Sequence, residues 1–201
     1  MCARGSGGLN YVLGGIKVDV SQIALSGASA GSNLAASLML LTLSRPLPRT
    51  AKIVSLGLLY PVLNLDIPYD VKLARVDHEK VLPPWISRLF GRAYLPPPRC
   101  TSDPYVSPAL ADAGMLGLFP ATAILTAEYD TLAHEGDEFA CTLEKLGVKV
   151  VHKQFALVAH GFDQTHTMSR RQKRLNEGAT AEAYEMMAGL FREVLVGVLK
   201  N

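Results

Sequence analysis

The chain contains four short apolar runs, and each has the length and composition of a buried β-strand. Prolines bound two of them, because Pro61 follows the second run and Pro120 precedes the third. Strands that are apolar on both faces are typical of parallel sheets covered on both sides, so the pattern predicts such a sheet. The runs comprise residues 22–26, 52–59, 121–127 and 148–155.

Apolar residues at helical spacing separate these runs. After the first run, Leu34, Leu38 and Leu41 predict a helix that ends before Pro46. A second helix precedes the fourth strand and ends at Gly147, a common C-terminal signal. Strands that alternate with helices predict the α/β class. The apolar positions of the second helix, and of a helix that closes the chain, are Phe139, Leu143 and Leu146, and Met187, Leu190, Phe191, Val194 and Val198.

Residues 64–119 differ in composition from the rest of the chain, because they contain most of the prolines. This segment is predicted to be an irregular excursion between two strands. Apolar positions from Trp85 to Phe90 predict one short amphipathic helix within it. We expect these two aromatic side chains to pack in a core, with the lining of a pocket as the alternative. Residues 1–201 as a whole are expected to form a single domain.

The composition is that of a globular chain with little net charge. Of 201 residues, 49% are hydrophobic and 19% are charged, and 20 basic residues against 18 acidic ones leave a formal charge of +2. This balance predicts no electrostatic attraction for nucleic acid or for an anionic membrane. The basic run at 170–174 is therefore interpreted as a solvated connector before the last helix.

The chain has no apolar run that resembles a signal peptide or could span a bilayer. That absence predicts no membrane span and a cytoplasmic location. The three cysteines, Cys2, Cys100 and Cys141, lack the spacing of metal ligands or of a disulfide framework, so we expect reduced thiols. Cys141 alternates with core positions of its helix and is expected to pack there.

Residues 27–31, with the sequence GASAG, match the pattern Gly-x-Ser-x-Gly between a predicted strand and a predicted helix. Gly27 and Gly31 allow a sharp turn that holds Ser29 at the carboxyl end of the strand with its hydroxyl exposed. The amide of Ala30 would then point at a developing oxyanion. The alternative interpretation is a glycine-rich helix start with an ordinary exposed serine.

A serine nucleophile needs a base and an acid that orients the base. Asp130 follows the third predicted strand and His160 follows the fourth, so both are expected at the same edge of the sheet as Ser29. Glu135 lies near Asp130 and is interpreted as support for the site or as solvated charge. The remaining histidines are expected to be surface or packed residues: His78, His134, His152 and His166.

Four motifs follow one another along the chain: GASAGSNLA at 27–35, DPYVSP at 103–108, DTLAHEG at 130–136 and HGF at 160–162. Together they resemble the hormone-sensitive-lipase-like branch of the α/β-hydrolases, which are carboxylesterases and lipases. The resemblance implies Ser29 as nucleophile, His160 as general base and then acid, Asp130 as the group that fixes the imidazole tautomer, and Ala30 as one oxyanion donor. It implies a small-molecule ester as substrate, an acyl-enzyme intermediate, and no metal or organic cofactor.

Two features depart from the family pattern. The family has a His-Gly-Gly-Gly loop that completes the oxyanion hole, whereas this sequence contains no such motif. The family also has aspartate and glycine where this chain has Ala28 and Ser32, which predicts altered local hydrogen bonds. Residues 11–19 are expected to be the end of the helix that leads into the nucleophile strand.

Only 28 residues precede Ser29, so the chain resembles the carboxyl-terminal part of such an enzyme. We therefore expect a partial α/β-hydrolase sheet whose first strand lies at an unprotected edge. Two hypotheses follow. The chain is a serine carboxylesterase, or it is a catalytically impaired relative, either a binding module or a truncated gene product.

Overall fold

A four-stranded parallel sheet forms the centre of the fold in this computed structural model. Its strands are β3 (Ile23–Ala28), β4 (Ile53–Leu59), β5 (Ala121–Tyr129) and β6 (Val150–Ala159), in that spatial order. All four predicted strands are confirmed, and β3 lies at one edge of the described sheet. The residues described are 10–13, 16–45, 47, 51–76, 81–95, 100–164 and 169–198.

The last strand is longer than the sequence pattern indicated. Residues 156–159, expected to connect the strand to His160, continue β6 instead, because Tyr129 of β5 still pairs with Ala159 beyond an irregularity in the register. Leu157 adopts a positive φ of 62° at this irregularity. His160 therefore follows the strand directly, without an intervening loop.

A hairpin precedes the central sheet. Strands β1 (Asn10–Leu13) and β2 (Ile16–Asp19) pair in antiparallel register, so the expectation of a helix end over residues 11–19 is wrong. The sequence IKVD alternates apolar and polar residues at the strand period, and Gly14-Gly15 is a common hairpin signal. These local patterns favour strands over helix.

Helices cover both faces of the sheet, as predicted. Side chains of α1 (Ala30–Ser44) and α5 (Ala133–Lys145) form one buried cluster with β4 and β5, in which Leu56 and Ile124 are fully buried. The long helix α6 (Arg170–Val198) covers the opposite face around Leu125. Neighbouring residues of β5 point into different clusters, which explains the consecutive apolar residues at 123–125.

Where it is described, the excursion between β4 and β5 contains only short helices. They are α2 (Tyr69–Leu73), α3 (Pro84–Tyr94), a 3₁₀ turn (Pro108–Leu110) and α4 (Ala113–Leu116). The predicted helix around Trp85 is confirmed as α3, but the expected core packing is wrong, because Trp85 is 65% exposed and Phe90 is 61% exposed. None of the side chains of α3 is buried.

Two other predictions, about Cys141 and about residues 170–174, need correction. Cys141 lies on the exposed side of α5, whereas its neighbours Ala140 and Leu143 face the core. The run 170–174 is solvated as predicted, but it forms the first turns of α6 rather than a connector. In α1 the leucines that revealed the helix lie on its outer side: Leu34, Leu38 and Leu41 are exposed.

Two further observations bear on the sequence expectations. In the ranges described, no helix is long and apolar enough to cross a membrane. Cys100 and Cys141 are free and exposed, and Cys2 lies outside the described residues.

The turn between β3 and α1 gives a direct test of the fold. A Cβ on Gly27 would lie 2.2 Å from the carbonyl carbon of Gly31, a backbone atom that cannot move aside. We therefore expect Gly27→Ala to lower the free energy of unfolding by about 1–3 kcal/mol or more in urea denaturation.

The matched control is Gly31→Ala, because a Cβ on Gly31 would meet no atom within 4 Å. Replacing a helical glycine by alanine should raise stability by about 0.5–1 kcal/mol. Equal losses in both variants would contradict the packing described for this turn.

Candidate active site

One residue with functional chemistry follows each parallel strand directly. Ser29 comes after β3, Tyr60 after β4, Asp130 after β5 and His160 after β6. The carboxyl ends of parallel strands meet at one edge of a sheet, where open α/β sheets place their ligands. The structure thus brings together the three side chains that the sequence singled out.

Ser29 occupies a strained turn between β3 and α1. Its backbone has φ 54° and ψ −120°, a conformation that side-chain-bearing residues rarely adopt. Its amide donates a hydrogen bond of 2.9 Å to the carbonyl of Leu59 at the end of β4. Gly27 permits the close approach of the turn to the helix, and the strained turn presents the hydroxyl at the sheet edge.

Ser32 reinforces this turn from inside α1. Its hydroxyl lies 2.6 Å from the carbonyl oxygen of Gly27 and 3.1 Å from that of Leu59, so its one proton is shared between an acceptor of β3 and an acceptor of β4. A glycine at this position would make neither bond. The change in local hydrogen bonding that was expected from the replacement of the family's glycine is thus found at Ser32.

His160 connects the serine to the acid. Its Nε2 lies 2.9 Å from Ser29 Oγ and its Nδ1 lies 2.7 Å from a carboxylate oxygen of Asp130. An ionised carboxylate can only accept, so Nδ1 carries the hydrogen of the neutral ring and Nε2 is free to accept the serine proton. Asp130 is 2% exposed, and its other oxygen accepts a bond from the Leu132 amide.

The first turn of α1 lies directly behind the serine. Ala30 is its first residue and is exposed. Amides in the first turn of a helix have no carbonyl partner within that helix, and the helix dipole adds a partial positive charge there. The Ala30 amide is therefore suited to bind negative charge next to the Ser29 hydroxyl.

The other histidines lie away from this constellation where they are described. His134 is on the surface of α5 with Arg75 and Glu138, as a surface imidazole should be. His152 lies on β6 and contacts Asp137. His78 and His166 fall outside the described residues.

Glu135 is buried rather than solvated. Only 3% of the residue is exposed, and its carboxylate pairs with the equally buried ammonium of Lys72 from α2. Its Oε1 accepts the amides of Leu63 and Asn64 in the segment after β4. Burial raises the pKa of the Glu135 carboxyl above its usual value, and the Lys72 ammonium partly offsets that effect. The ion pair thus connects the excursion, through Lys72 of α2, to Glu135 of α5.

Sequence reasoning missed two further groups. Asn33 donates to two loop carbonyls and accepts a bond of 2.5 Å from the Tyr94 hydroxyl, which ties α3 to the first turn of α1. Tyr60 contacts His160 and bonds to Asp163. In the sequence Tyr60 marked only the end of a strand, and Asp163 followed the HGF motif without any pattern of its own.

No group of three or more histidine, cysteine or acidic side chains is placed to hold a metal ion among the residues with assigned structure. The site's polar groups are instead paired with one another, as the distances above describe. The expectation of a cofactor-free reaction stays a prediction.

The chain belongs to the alpha/beta hydrolase fold family, whose sequence profile matches residues 9–164. Among related proteins, it is 37% identical over 59 residues to arylacetamide deacetylase of Bos taurus, a match that covers 29% of this chain and 15% of that protein. The resemblance to carboxylesterases of the hormone-sensitive-lipase-like branch is thereby confirmed.

Solved esterases share the fold. The esterase of the archaeon Pyrobaculum calidifontis superposes with a TM-score of 0.67 at 30% identity, covering 85% of this chain and 54% of that one. Carboxyl esterase 2 of Tuber melanosporum gives a TM-score of 0.66 at 23% identity, covering 83% and 54%. The chain thus spans about half the length of the solved esterases it matches.

The contribution of the buried ion pair between Lys72 and Glu135 to stability can be tested by substitution. Lys72→Met leaves the Glu135 carboxylate buried without its cation, so we expect a loss of about 3–5 kcal/mol in the free energy of unfolding at neutral pH. Adding Glu135→Gln should recover part of that loss, because the uncompensated charge is gone. Urea denaturation of both variants measures the difference.

The loss in Lys72→Met should also depend on pH. Lys72 lowers the pKa of Glu135 in the folded chain, so its removal raises that pKa further above the usual value, and the variant loses more stability than the wild type as the pH rises toward the folded pKa. The deficit should therefore shrink on acidification. Lys149→Met, which removes an exposed ion pair with Glu193, is the control and should leave stability nearly unchanged. A pH-independent deficit would contradict this account.

Proposed function

We propose that this chain acts as a serine carboxylesterase through Ser29, His160 and Asp130. The observation that supports the proposal is the continuous hydrogen-bonded series from the Ser29 hydroxyl through both nitrogens of His160 to the Asp130 carboxylate. A lone serine is a weak nucleophile, and a base positioned in this way removes its proton during attack. A single α/β-hydrolase domain with the 64–119 excursion is part of the same proposal.

The proposed reaction has two steps. Ser29 Oγ attacks the ester carbonyl while His160 Nε2 takes its proton, and the Ala30 amide donates to the oxyanion. The protonated imidazole then gives its proton to the departing alcohol, which leaves an acyl group on Ser29. Water attacks that acyl group while His160 Nε2 takes a proton from it, and the imidazolium then returns this proton to Ser29 Oγ as the bond to the acyl carbon breaks and the acid leaves. Asp130 holds the tautomer and stabilises the imidazolium throughout.

We propose a small-molecule ester as the substrate. The names of the related proteins, a deacetylase and several esterases, support cleavage of an acyl group. The net charge of +2 supports a substrate that does not depend on strong electrostatic attraction. The chemistry needs no bound metal, because the base, the acid and the oxyanion donor are all protein groups.

A second candidate function is binding without turnover. The given sequence contains no His-Gly-Gly-Gly motif, the source of the remaining oxyanion donors in the family, so this alternative is tested beside the first. Loss of one such donor lowers turnover by about 10²–10³-fold. Under this alternative the triad geometry persists, but the chain binds its ligand without hydrolysing an ester.

Hydrolysis of a short-chain nitrophenyl ester separates the two candidates. We expect Ser29→Ala to abolish the activity of the purified chain, and Asp130→Asn to lower kcat by about 10⁴-fold because the imidazole loses its productive tautomer. Both rates are measured by release of nitrophenol.

The matched control is Ser44→Ala, which removes a hydroxyl at the far end of α1, one bonded to Tyr105 at the surface. It should leave kcat and KM unchanged. A folded wild-type chain without activity, or an activity that survives Ser29→Ala, would refute the esterase proposal and favour the binding alternative.

A further inference from the structure

Tyr60 occupies an unusual place at the sheet edge. It follows β4 directly, between the strands that end at Ser29 and Asp130, and only 2% of it is exposed. Its φ of 36° is strained for a residue with a bulky side chain. Strain of this kind persists where surrounding contacts hold the residue, so the contacts of its side chain need an explanation.

Those contacts lead to the base of the proposed triad. The ring of Tyr60 meets the imidazole of His160 edge to face, with centroids 4.7 Å apart. It also packs against Phe162, two residues further along, at 5.7 Å. The loop that bears His160 therefore rests on one tyrosine ring, and the imidazole cannot rotate toward β4 without displacing it.

The hydroxyl at the tip of the Tyr60 side chain contacts the same loop at a second position, Asp163. It donates to one oxygen of Asp163, and Tyr184 of α6 donates to the other at 2.8 Å. Burial, and next the bond to Asp163, raise the pKa of the Tyr60 phenol well above its usual range. The phenol therefore stays protonated and remains a donor at any pH at which an imidazole base works.

We propose that Tyr60 and Asp163 are positioning residues that hold the His160 imidazole between Ser29 and Asp130. The inference rests on the proposed function, since positioning matters to catalysis only if His160 is the base. Its basis is geometric: one side chain touches the imidazole and is bonded, through its hydroxyl, to the residue three positions after that histidine.

The proposed reaction makes this restraint useful. His160 must accept a proton from Ser29 and then donate it to a leaving group that lies elsewhere, while Nδ1 keeps its bond to Asp130. A ring that rocks by a fraction of an ångström would lengthen one of these bonds. Tyr60 limits that motion from the strand side, and Asp163 fixes Tyr60 in turn.

The test uses Tyr60→Phe, which keeps the ring and removes only the hydroxyl, together with Asp163→Asn and the double variant. We expect Tyr60→Phe to lower kcat at least about tenfold with little change in KM, because small displacements of a catalytic group cost up to about 10²-fold. The double variant should lose no more than the single ones, since both remove the same bond. Tyr105→Phe, which removes a surface phenol bonded to Ser44, is the control.

A second readout is independent of turnover. The proton on His160 Nδ1, bonded to Asp130, should give a downfield NMR signal in the wild type that broadens or disappears in Tyr60→Phe. Thermal unfolding of the same samples checks that each variant is folded.

The outcomes separate the two proposals. An inactive wild-type chain would refute the proposed function, and the Nδ1 signal would still decide whether Tyr60 holds the ring. A decrease in kcat smaller than tenfold in an active enzyme, additive losses in the double variant, or an unchanged Nδ1 signal would each overturn the positioning role.

Discussion

Parallel pairing of four strands is the constraint on which the site depends. Because β3, β4, β5 and β6 run in the same direction, residues far apart in the chain emerge at a single edge. Ser29 and His160 are 131 positions apart in sequence, yet their side chains lie 2.9 Å from each other. The hydrogen bonds of the sheet hold the backbone, so the side chains at the strand ends need only short turns to meet.

Buried polar contacts join this edge of the sheet to the helices around it. The carbonyl of Leu59 accepts from both Ser29 and Ser32, so the end of β4 supports the nucleophile turn. Asn33 ties α3 to that turn, and the pair of Glu135 with Lys72 ties α2 to the helix after Asp130. Buried polar groups without partners are costly, so these contacts specify one arrangement of the excursion.

Much of this arrangement could be predicted from the sequence. Apolar runs between polar segments identify the four strands, and the Gly-x-Ser-x-Gly pattern between strand and helix identifies the turn around Ser29. Asp130 and His160 were found because each follows a strand, and the structure brings both to Ser29. These features are local in sequence, or follow from the rule that parallel strands share an edge.

Other features depend on contacts that no local pattern reveals. The exposure of Trp85 and Phe90 follows from where α3 lies, and an amphipathic helix has the same sequence pattern whether its apolar face is covered or open. The burial of Glu135 depends on Lys72, which lies in a separate helix. The role proposed for Tyr60 depends on Asp163, 103 positions away, and on a strained backbone conformation. No sequence pattern indicates either of them.

The central claim is that Ser29 forms a covalent acyl intermediate with His160 and Asp130 as its activating groups. Mass spectrometry of the intact chain, quenched in acid within milliseconds of mixing with a nitrophenyl ester, measures this directly. The account predicts one acyl adduct per chain, located on the peptide that contains Ser29 and absent in Ser29→Ala. Ester hydrolysis without any adduct, or an adduct on another residue, would contradict it.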